Sequence, residues 1–448
     1  MTAATTPTPI PTPTLDAYQA DFERVQAAAP AALQTLRQNA MGHFTRLGFP
    51  TTRMEEWRFT SVEPIARRPF ALGGPADVTS DQIAPFLFPG LSDSRLVFVN
   101  GRYAPALSAI QALPPRVEVR NLAELLTGGL DGVESYLGRL AAFEDQPFSA
   151  LNTAFLQDGA LIRIGDDVVL DHPIHTLFVS TAPGSAVVTH PRMLVVVGRN
   201  SSVGLVESYA GVRDAPYFTN AVTELDVGEN SVVDHCKILR ESLEAYHVAS
   251  LQIRLARSAV VTSHSITLGG ALVRNDVGAV LAGDGAECTL NGLYVAGGRQ
   301  LVDNHTTIDH VSPHCDSHEL YKGILDGEAK AVFNGKIIVR LDAQKTDAKQ
   351  SNKTLLLSER AQVNTKPQLE IFADDVKCTH GATVGQLDED AMFYLRARGL
   401  SREQARRMLI HAFATDVLQR ITREPIKPRL DTALLERLPA ADQGSRSA

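Results

Sequence analysis

The sequence predicts a mainly β protein whose central part is a β-solenoid, with helical segments on both sides. Three observations support this fold class. The middle of the chain is rich in Val, Thr, Ile and Gly, and similar turns recur there at multiples of about 14–15 residues. The segments before and after it carry apolar residues at helical spacing instead. The 448 residues are enough for about three domains or one long one.

Composition restricts the classes of function. Lys and Arg number 43 against 51 Asp and Glu, a net charge of −8, which disfavours duplex DNA as a partner because that affinity depends on neutralised phosphates. There is no long apolar run of membrane-spanning length, and the Thr/Pro-rich start lacks a positive segment followed by an apolar core. We therefore expect a cytoplasmic protein with disordered tails at residues 1–14 and 439–448.

Residues 15–145 are expected to form a mostly helical N-terminal domain. Residues 15–28 and 30–47 carry helix-forming side chains at helical spacing, and proline separates the two helices. The lone tryptophan, Trp57, is expected to anchor the core of this domain. Residues 96–100 read as a short strand that ends in an Asn-Gly turn.

Residues 146–386 are expected to form the solenoid. Seven short strands each follow a small residue and then a charged one, and the strand starts are Gly198, Gly228, Ala256, Gly283, Gly327, Ser358 and Ala373. Five places later stand Val203, Val233, Val261, Cys288, Val332, Val363 and Cys378, which are predicted to point into the core. A full turn of about 28–31 residues would carry two strands, and coils must stack to close their core. An ordinary β-sandwich is the alternative.

Residues 387–438 are expected to form a C-terminal helical domain. Ser401 and Gln404 have the spacing of a capping box, which starts a helix. The next residues form an apolar stripe at helical spacing, namely Ala405, Met408, Leu409, Ala412 and Phe413. Two interpretations of this segment stay open. It is either a docking helix for a partner or a helix with a solvated basic face.

Two cysteine and histidine patterns are candidate metal ligands. Cys378 and His380 are predicted to project to the same side of the last strand, about 6–7 Å apart, where a thiol and an imidazole would suit iron or zinc. A hydrogen-bonded core histidine is the alternative. His310, His314 and His318 recur every fourth residue, which an extended strand would place on one face. They are either structural histidines that bind backbone carbonyls across coil turns or the ligands of a stand-alone metal protein.

Several stretches of the chain resemble the SufB/SufD family of iron–sulfur cluster assembly proteins, and its SufD members more closely. These stretches are residues 55–60, 151–155, 305–310, 317–324, 364–371 and 374–383. The resemblance implies a right-handed parallel β-helix between helical domains. It also implies a heterodimer with a SufB-like paralogue through the β-helices and a SufC-like ATPase bound to the C-terminal domain. A homodimer of the isolated chain is a further possibility.

The resemblance also implies the site. SufB-like chains have a cysteine, thought to hold the nascent cluster, where this chain has Ala361, and an acidic residue where it has Gly381. His380 matches the SufD histidine proposed to face that cysteine. A nascent iron–sulfur cluster shared with SufB is therefore expected at His380, with Cys378 as a second candidate and no cofactor bound tightly to the isolated chain.

No phosphate-binding loop of the Gly-x-x-x-x-Gly-Lys-Ser/Thr type is present, so ATP hydrolysis is expected in the SufC-like partner. The expected function is that of a non-enzymatic scaffold subunit that builds and transfers nascent clusters and helps iron acquisition. The alternative is a β-helix enzyme acting on polysaccharide. Such enzymes line a groove with paired carboxylates, and the repeat places no such pair on a shared face.

Overall fold

The computed structural model describes residues 13–27, 31–91, 94–111, 113–128, 132–182, 184–423 and 425–438. The predicted tails lie outside these ranges, except that residues 13 and 14 begin the first helix. The α-helices of the described residues are α1 Pro13–Ala27, α2 Ala31–Leu47, α3 Glu63–Ala66, α4 Ser80–Ile83, α5 Leu122–Gly128, α6 Pro147–Ala154, α7 Glu389–Ala397, α8 Arg402–Leu418 and α9 Lys427–Arg437. Among the described residues, no helix combines the length and hydropathy that crossing a lipid bilayer requires.

The strands run from the N-terminal segment to the last coil. They are β1 Ala71–Leu72, β2 Ser94–Val99, β3 Arg102–Tyr103, β4 Ala109–Ile110, β5 Val117–Asn121, β6 Ala160–Ile164, β7 Ile174–Ser180, β8 Val187–Thr189, β9 Arg192–Val197, β10 Ser202–Gly211, β11 Tyr217–Val227, β12 Val232–Arg240, β13 Tyr246–Leu255, β14 Val260–Thr267, β15 Leu272–Leu281, β16 Glu287–Ala296, β17 Leu301–His310, β18 Asp316–Leu325, β19 Lys330–Val339, β20 Asp347–Leu356, β21 Gln362–Ile371 and β22 Lys377–Gly385.

These strands stack into two facing sheets, so the predicted parallel β-solenoid between helical segments is confirmed. In sheet A the order is β21-β19-β17-β15-β13-β11-β9-β6-β5, and in sheet B it is β22-β20-β18-β16-β14-β12-β10-β7-β2-β3. From β9 onward, neighbours within each sheet are parallel, and successive strands of the chain alternate between the sheets. Each coil therefore contributes one strand to each sheet, which closes a core that no single coil could close.

The predicted period matches the register of sheet B. One core-facing position recurs on seven successive strands as Val203, Val233, Val261, Cys288, Ser317, Ala348 and Cys378. The intervals between these register partners are 30, 28, 27, 29, 31 and 30 residues. A full turn of the solenoid therefore takes about as many residues as the spacing of the sequence indicated.

Two of the seven predicted core positions lie in the other sheet. Val332 and Val363 belong to β19 and β21 of sheet A, and Val363 pairs with Ala331 rather than with Val332. The inward neighbours Ala331 and Phe333 lie in the solenoid core, so Val332 faces outward and the prediction was wrong for it. The reason is that the corner after Gly327 is one residue shorter than the corner after Ser358, which reverses the alternation.

One corner of the solenoid contains five of the seven predicted strand starts, namely Gly198, Gly228, Ala256, Gly283 and Ala373, and explains their composition. Seven successive coils place a residue with positive φ there, namely Asp167, Asn200, Asn230, Ser258, Gly285, His314 and Lys345. The backbone N–H of each donates to a carbonyl in the next coil, as from Asn200 to Glu229 at 2.8 Å. Asn, Asp and Gly adopt this left-handed conformation at the lowest cost, so the repeated turn has a recognisable composition.

The flanking segments cover the outer faces of the two sheets. Trp57 is buried with α1, α2 and α6 against the outer face of sheet A, as the prediction of a core anchor requires. The predicted strand and Asn100-Gly101 turn are present, and Phe98 pairs with Tyr103 across that turn. The strands β2 and β5 pair with β7 and β6, so the solenoid sheets include strands from before residue 145.

Candidate functional site

Cys378 and His380 lie on β22, the last strand of sheet B. In the register, Cys378 pairs with Ala348 and His380 pairs with Gln350. Both belong to columns whose earlier members face the solenoid core, so both side chains project to the same side of β22. Cys378 is half-buried against the core cluster around Ile337, whereas His380 is exposed because no further coil covers it.

The two side chains differ in their readiness to bind a metal. Burial, helped by the charge of Asp347, raises the pKa of the Cys378 thiol, which disfavours the thiolate that binds metals. Within the described part of the chain, His380 makes no hydrogen bond, so both of its ring nitrogens are available. The described residues contain no group of three or more His, Cys, Asp or Glu side chains that could hold a metal ion.

The last coil also leaves both sheets open. Within the described ranges, β21 pairs only with β19 and β22 pairs only with β20. The side chains of β22 are almost all exposed, in contrast to the buried strands before it. An open edge presents unpaired N–H and C=O groups to another chain.

The predicted histidine face does not form. His310 ends β17 in sheet A and is buried, with Nε2 2.9 Å from Oγ of Ser317. His314 occupies the left-handed position of the corner, and His318 is exposed on β18 in sheet B. The corner turns the chain from one sheet to the other between them, so regular spacing gave a wrong prediction. Among the described residues, these histidines form no shared metal site, and the His310 ring bonds Ser317 rather than a backbone carbonyl.

His305 lies in a groove of about 580 Å³ between residues 54–57 and the outer face of sheet A. Its Nδ1 is 3.3 Å from Oε2 of Glu56, and its Nε2 is 3.0 Å from Oδ1 of Asp303. Burial alone would lower the pKa of His305, but Asp303 and Glu56 raise it to about 9. Both nitrogens therefore carry protons at neutral pH, and the ring joins two segments rather than offering a lone pair to a metal.

The predicted apolar stripe on α8 is not the face that packs on the solenoid. Ser401 and Gln404 form the predicted capping box. The packing face consists mainly of other residues, namely Ile410, Ala414, Val417 and Leu418, and Phe413 is the member of the stripe that packs against the same cluster. Of the predicted stripe, Ala405 is buried, Leu409 and Phe413 are half-buried, Ala412 is exposed and Met408 is 50% exposed. The helix therefore has a second, partly exposed apolar face. The neighbouring helix α7 contacts α8 and carries the exposed rings of Phe393 and Tyr394.

Sequence reasoning did not single out two polar residues that lie behind His380. Glu319 and Gln350 occupy the same column of sheet B on the two preceding strands, and both are buried. The signal that could have found them is the interval of about 30 residues from His380 back to Gln350 and Glu319. It was missed because no strand start was assigned to these two coils.

The fold and the site define a β-solenoid protein whose candidate ligands lie on an open edge rather than in a closed cleft. Residues 178–413 match the family model described as "SUF system FeS cluster assembly, SufBD core domain". Residues 12–176 match the one described as "SufBD protein N-terminal region". The chain therefore belongs to the SufBD family of iron–sulfur cluster assembly proteins, as the resemblance predicted.

Curated relatives agree with this assignment. The chain is 35% identical over 414 residues to an iron–sulfur cluster assembly SufBD family protein of Synechocystis sp., with 91% of each chain covered. It is 32% identical to the iron–sulfur cluster assembly protein SufD of Escherichia coli, covering 92% of this chain and 93% of the relative. The SufD of Bacillus subtilis is 27% identical over 91% of this chain and 94% of its own. The chain is SufD-like, and the polysaccharide-active alternative finds no support in these matches.

Proposed function

We propose that this chain is a non-enzymatic scaffold subunit of a complex that builds and transfers nascent iron–sulfur clusters and helps acquire iron. The observation that carries the proposal is the position of His380, an exposed imidazole on the last strand of an open sheet. A ligand at such an edge is accessible to a second chain. The cluster is cargo here, held jointly by His380 and a thiolate of the partner, which is chemically reasonable because mixed Cys and His ligation occurs in iron–sulfur centres.

The proposed partner at the open edge is a SufB-like paralogue. Both β21 and β22 end the sheets of the described solenoid, so a second solenoid has two strand edges on which to continue main-chain hydrogen bonding. Cys378 remains a second candidate ligand. The half-burial of its thiol argues against metal binding, because it raises the pKa of the thiol. A second copy of this chain is the alternative occupant of the edge when the paralogue is absent.

The proposed site for a SufC-like ATPase is the exposed apolar surface of α7 and α8. Phe393 and Tyr394 are 73% and 55% exposed, and Met408 on α8 is 50% exposed. Aromatic and Met side chains are enriched at protein interfaces, where their burial supplies affinity. ATP hydrolysis belongs to the partner in this proposal.

The connection between the two sites supports a mechanical role. β22 ends at Gly385 and α7 begins at Glu389, so a pull on α7 acts on the strand that carries His380. ATP-driven dimerisation of the ATPase would displace these helices, strain the edge contact and expose His380 to iron or sulfide. We place this activity in the cytoplasm because all four cysteines are free thiols, which suits a reducing compartment.

The test is anaerobic cluster reconstitution with the paralogue and the ATPase present. We expect His380→Ala to fold normally by circular dichroism and to lower the yield of cluster, measured by its visible absorption. His318→Ala removes another exposed histidine from the same sheet and should behave as wild type. Wild-type cluster yield from His380→Ala would contradict the proposal.

A further inference from the structure

One core-facing column of sheet B leads from the interior of the solenoid to His380. Its last members are Leu290, Glu319, Gln350 and His380, each paired with the next in the parallel register. Paired residues of parallel strands project in the same direction, about 4.8 Å apart. Gln350 is therefore the nearest side chain behind His380 on the same face of the sheet.

The amide of Gln350 has a defined direction. Its Nε2 donates to Oε2 of Glu319 at 2.7 Å, so the NH₂ group points toward Glu319. Its Oε1 is buried and accepts no hydrogen bond in the described structure. Gln350 is 3% exposed, so water outside the solenoid does not satisfy this oxygen. A buried carbonyl without a donor is costly and calls for a partner.

Gly335, on the facing sheet A, leaves the space that the amide of Gln350 occupies. A Cβ built on Gly335 of sheet A would lie 2.2 Å from Nε2 of Gln350, so any larger residue would displace the amide. The side chain is thus confined between Gly335 and Glu319, with its free oxygen as the remaining polar atom. This confinement makes Gln350 a fixed acceptor rather than a mobile one.

We propose that Gln350 is a positioning residue for His380: the exposed ring turns toward the preceding strand, the free Oε1 of Gln350 accepts one ring N–H, and the lone pair of the other nitrogen is left for iron. Glu319 acts one step further back, because it sets the direction of the Gln350 amide. Metal-binding histidines commonly donate their second ring N–H to an oxygen, which fixes the tautomer and the ring orientation. The proposal rests on the proposed role of His380 as an iron ligand and specifies how that ring is presented.

The first measurement is the tautomer of His380 in the full chain, by long-range ¹H–¹⁵N NMR of ¹⁵N-histidine-labelled protein. The resonance is identified by its loss in His380→Ala. We expect Gln350→Met, which keeps the length but removes the acceptor, to convert one dominant tautomer into a mixture. Glu319→Gln keeps the size but lets the two amides pair in either direction, and it should have the same effect.

The matched control is Asn352→Leu. Asn352 is the next inward residue of β20, is equally buried and has an unpartnered oxygen, but it pairs with Ala382 instead of His380. The Asn352→Leu variant should therefore leave the tautomer of His380 unchanged. A tautomer in Gln350→Met and Glu319→Gln identical to wild type would overturn the positioning role.

The second measurement is anaerobic titration of Fe²⁺ into the complex with the paralogue. Loss of an outer-shell partner typically lowers metal affinity roughly 10- to 100-fold, which we expect for Gln350→Met but not for Asn352→Leu. If His380→Ala binds iron as wild type while Gln350→Met still mixes the tautomers, the proposed function fails and the positioning contact stands. If His380→Ala loses iron but Gln350→Met matches wild type in both measurements, the positioning role is wrong.

Discussion

The two outer faces of the solenoid hold their covering segments by different chemistry. On sheet A, the covering segment contacts a buried ion pair of the solenoid itself: Arg192 of β9 pairs with Glu224 of β11, and both side chains are fully buried. The carboxylate of Glu224 also accepts backbone N–H groups from residues 138, 140 and 141, which lie in the N-terminal segment. A second buried cation, Arg274, bonds Asp303 at 2.6 Å and lies 4.3 Å from the ring of Trp57.

On sheet B, the C-terminal helices pack mainly through apolar side chains. Residues of α8 and α9 and the linker between them join one buried cluster with the outward residues of β12, β14, β16 and β18. The polar contacts are fewer, and only one of their two acids, Asp234, is buried. Lys322 donates to Asp416 at 2.9 Å, but Asp416 is about half exposed. Arg423 contacts Asp234 at 3.2 Å.

This difference affects how each segment can move. If the N-terminal segment moved, the buried carboxylate of Glu224 would lose three N–H donors and Arg274 would lose the carbonyl of Glu56. Buried charged groups that lose hydrogen bonds are costly, so this segment is held in one geometry. Apolar contacts have no preferred direction, and the half-exposed Asp416 becomes hydrated when its contact breaks. The C-terminal helices can therefore shift at lower cost, which suits the end of the molecule where the proposed ATPase binds.

The largest expected effect is the loss of the buried acid on sheet A. Glu224→Ala leaves the Arg192 guanidinium buried without its counter-ion and leaves three backbone N–H groups without their acceptor. We expect a loss of about 3–5 kcal/mol in the free energy of unfolding. Urea denaturation followed by circular dichroism measures it.

The control for this change is Glu229→Ala. Glu229 pairs with Arg257 at 3.0 Å on a corner of the solenoid, where both side chains are about half exposed. Exposed ion pairs contribute roughly 0–1 kcal/mol, so this substitution should be nearly silent. If Glu224→Ala and Glu229→Ala lose the same free energy of unfolding, the buried contacts of sheet A are no more stabilising than an exposed ion pair, which contradicts the comparison.

The next largest effect is a pH dependence of the free energy of unfolding, caused by His305 at the outer face of sheet A. The pKa of His305 is about 9 in the folded protein, above its unfolded value of about 6.5, because Asp303 and Glu56 outweigh burial and Arg274. A raised folded pKa means stability that is complete below pH 6.5 and is lost as the pH rises through 9. The loss is on the order of 3 kcal/mol.

The check is the urea midpoint measured between pH 6 and pH 10 for wild type and His305→Gln. The variant should lose the decline, since glutamine does not titrate in this range. His318→Gln, which changes an exposed histidine, should keep it. If the urea midpoint of His305→Gln falls by the same amount as the pH rises, groups other than His305 cause the pH dependence.

Local patterns in the sequence predicted the parts of the fold that local contacts determine. The coil period, the capping box at Ser401 and the shared face of Cys378 and His380 all follow from nearby residues. The contacts of the covering segments do not, because they join residues far apart in the chain, such as Glu56 and His305. The packing face of α8 was missed for a related reason. The helix has two apolar faces, and only sheet B determines which one is buried.

A smaller effect is expected on sheet B from Lys322→Met. Nζ of Lys322 donates to Asp416 and to the carbonyl of Phe413, so the change removes two contacts between β18 and α8. We expect a loss of about 1–3 kcal/mol, below that of Glu224→Ala, because Asp416 reaches water. Hydrogen–deuterium exchange should rise in α8 and stay unchanged in the strands.

Lys353→Met is the control, because Lys353 is the register neighbour of Lys322 on β20 and is exposed. It should leave exchange in α8 at the wild-type level. Faster exchange across both sheets in Lys322→Met would show that the helices and the solenoid unfold together, against the idea of a separately movable C-terminal segment.

The smallest effect on stability is expected where the proposed partner binds. Met408 is half exposed and outside the packing face of α8, so Met408→Glu should change the free energy of unfolding by no more than about 0.5 kcal/mol. Binding of the SufC-like ATPase, measured by isothermal titration calorimetry, should weaken roughly tenfold or more, since a charge would enter an apolar contact.

The control is Val169→Glu, which makes a comparable change at an exposed apolar residue outside the C-terminal helices and should bind as wild type. If Met408→Glu binds the ATPase as wild type, the exposed face of α8 is not the binding site. The proposed role of the movable C-terminal helices in transmitting ATPase motion would then also be wrong.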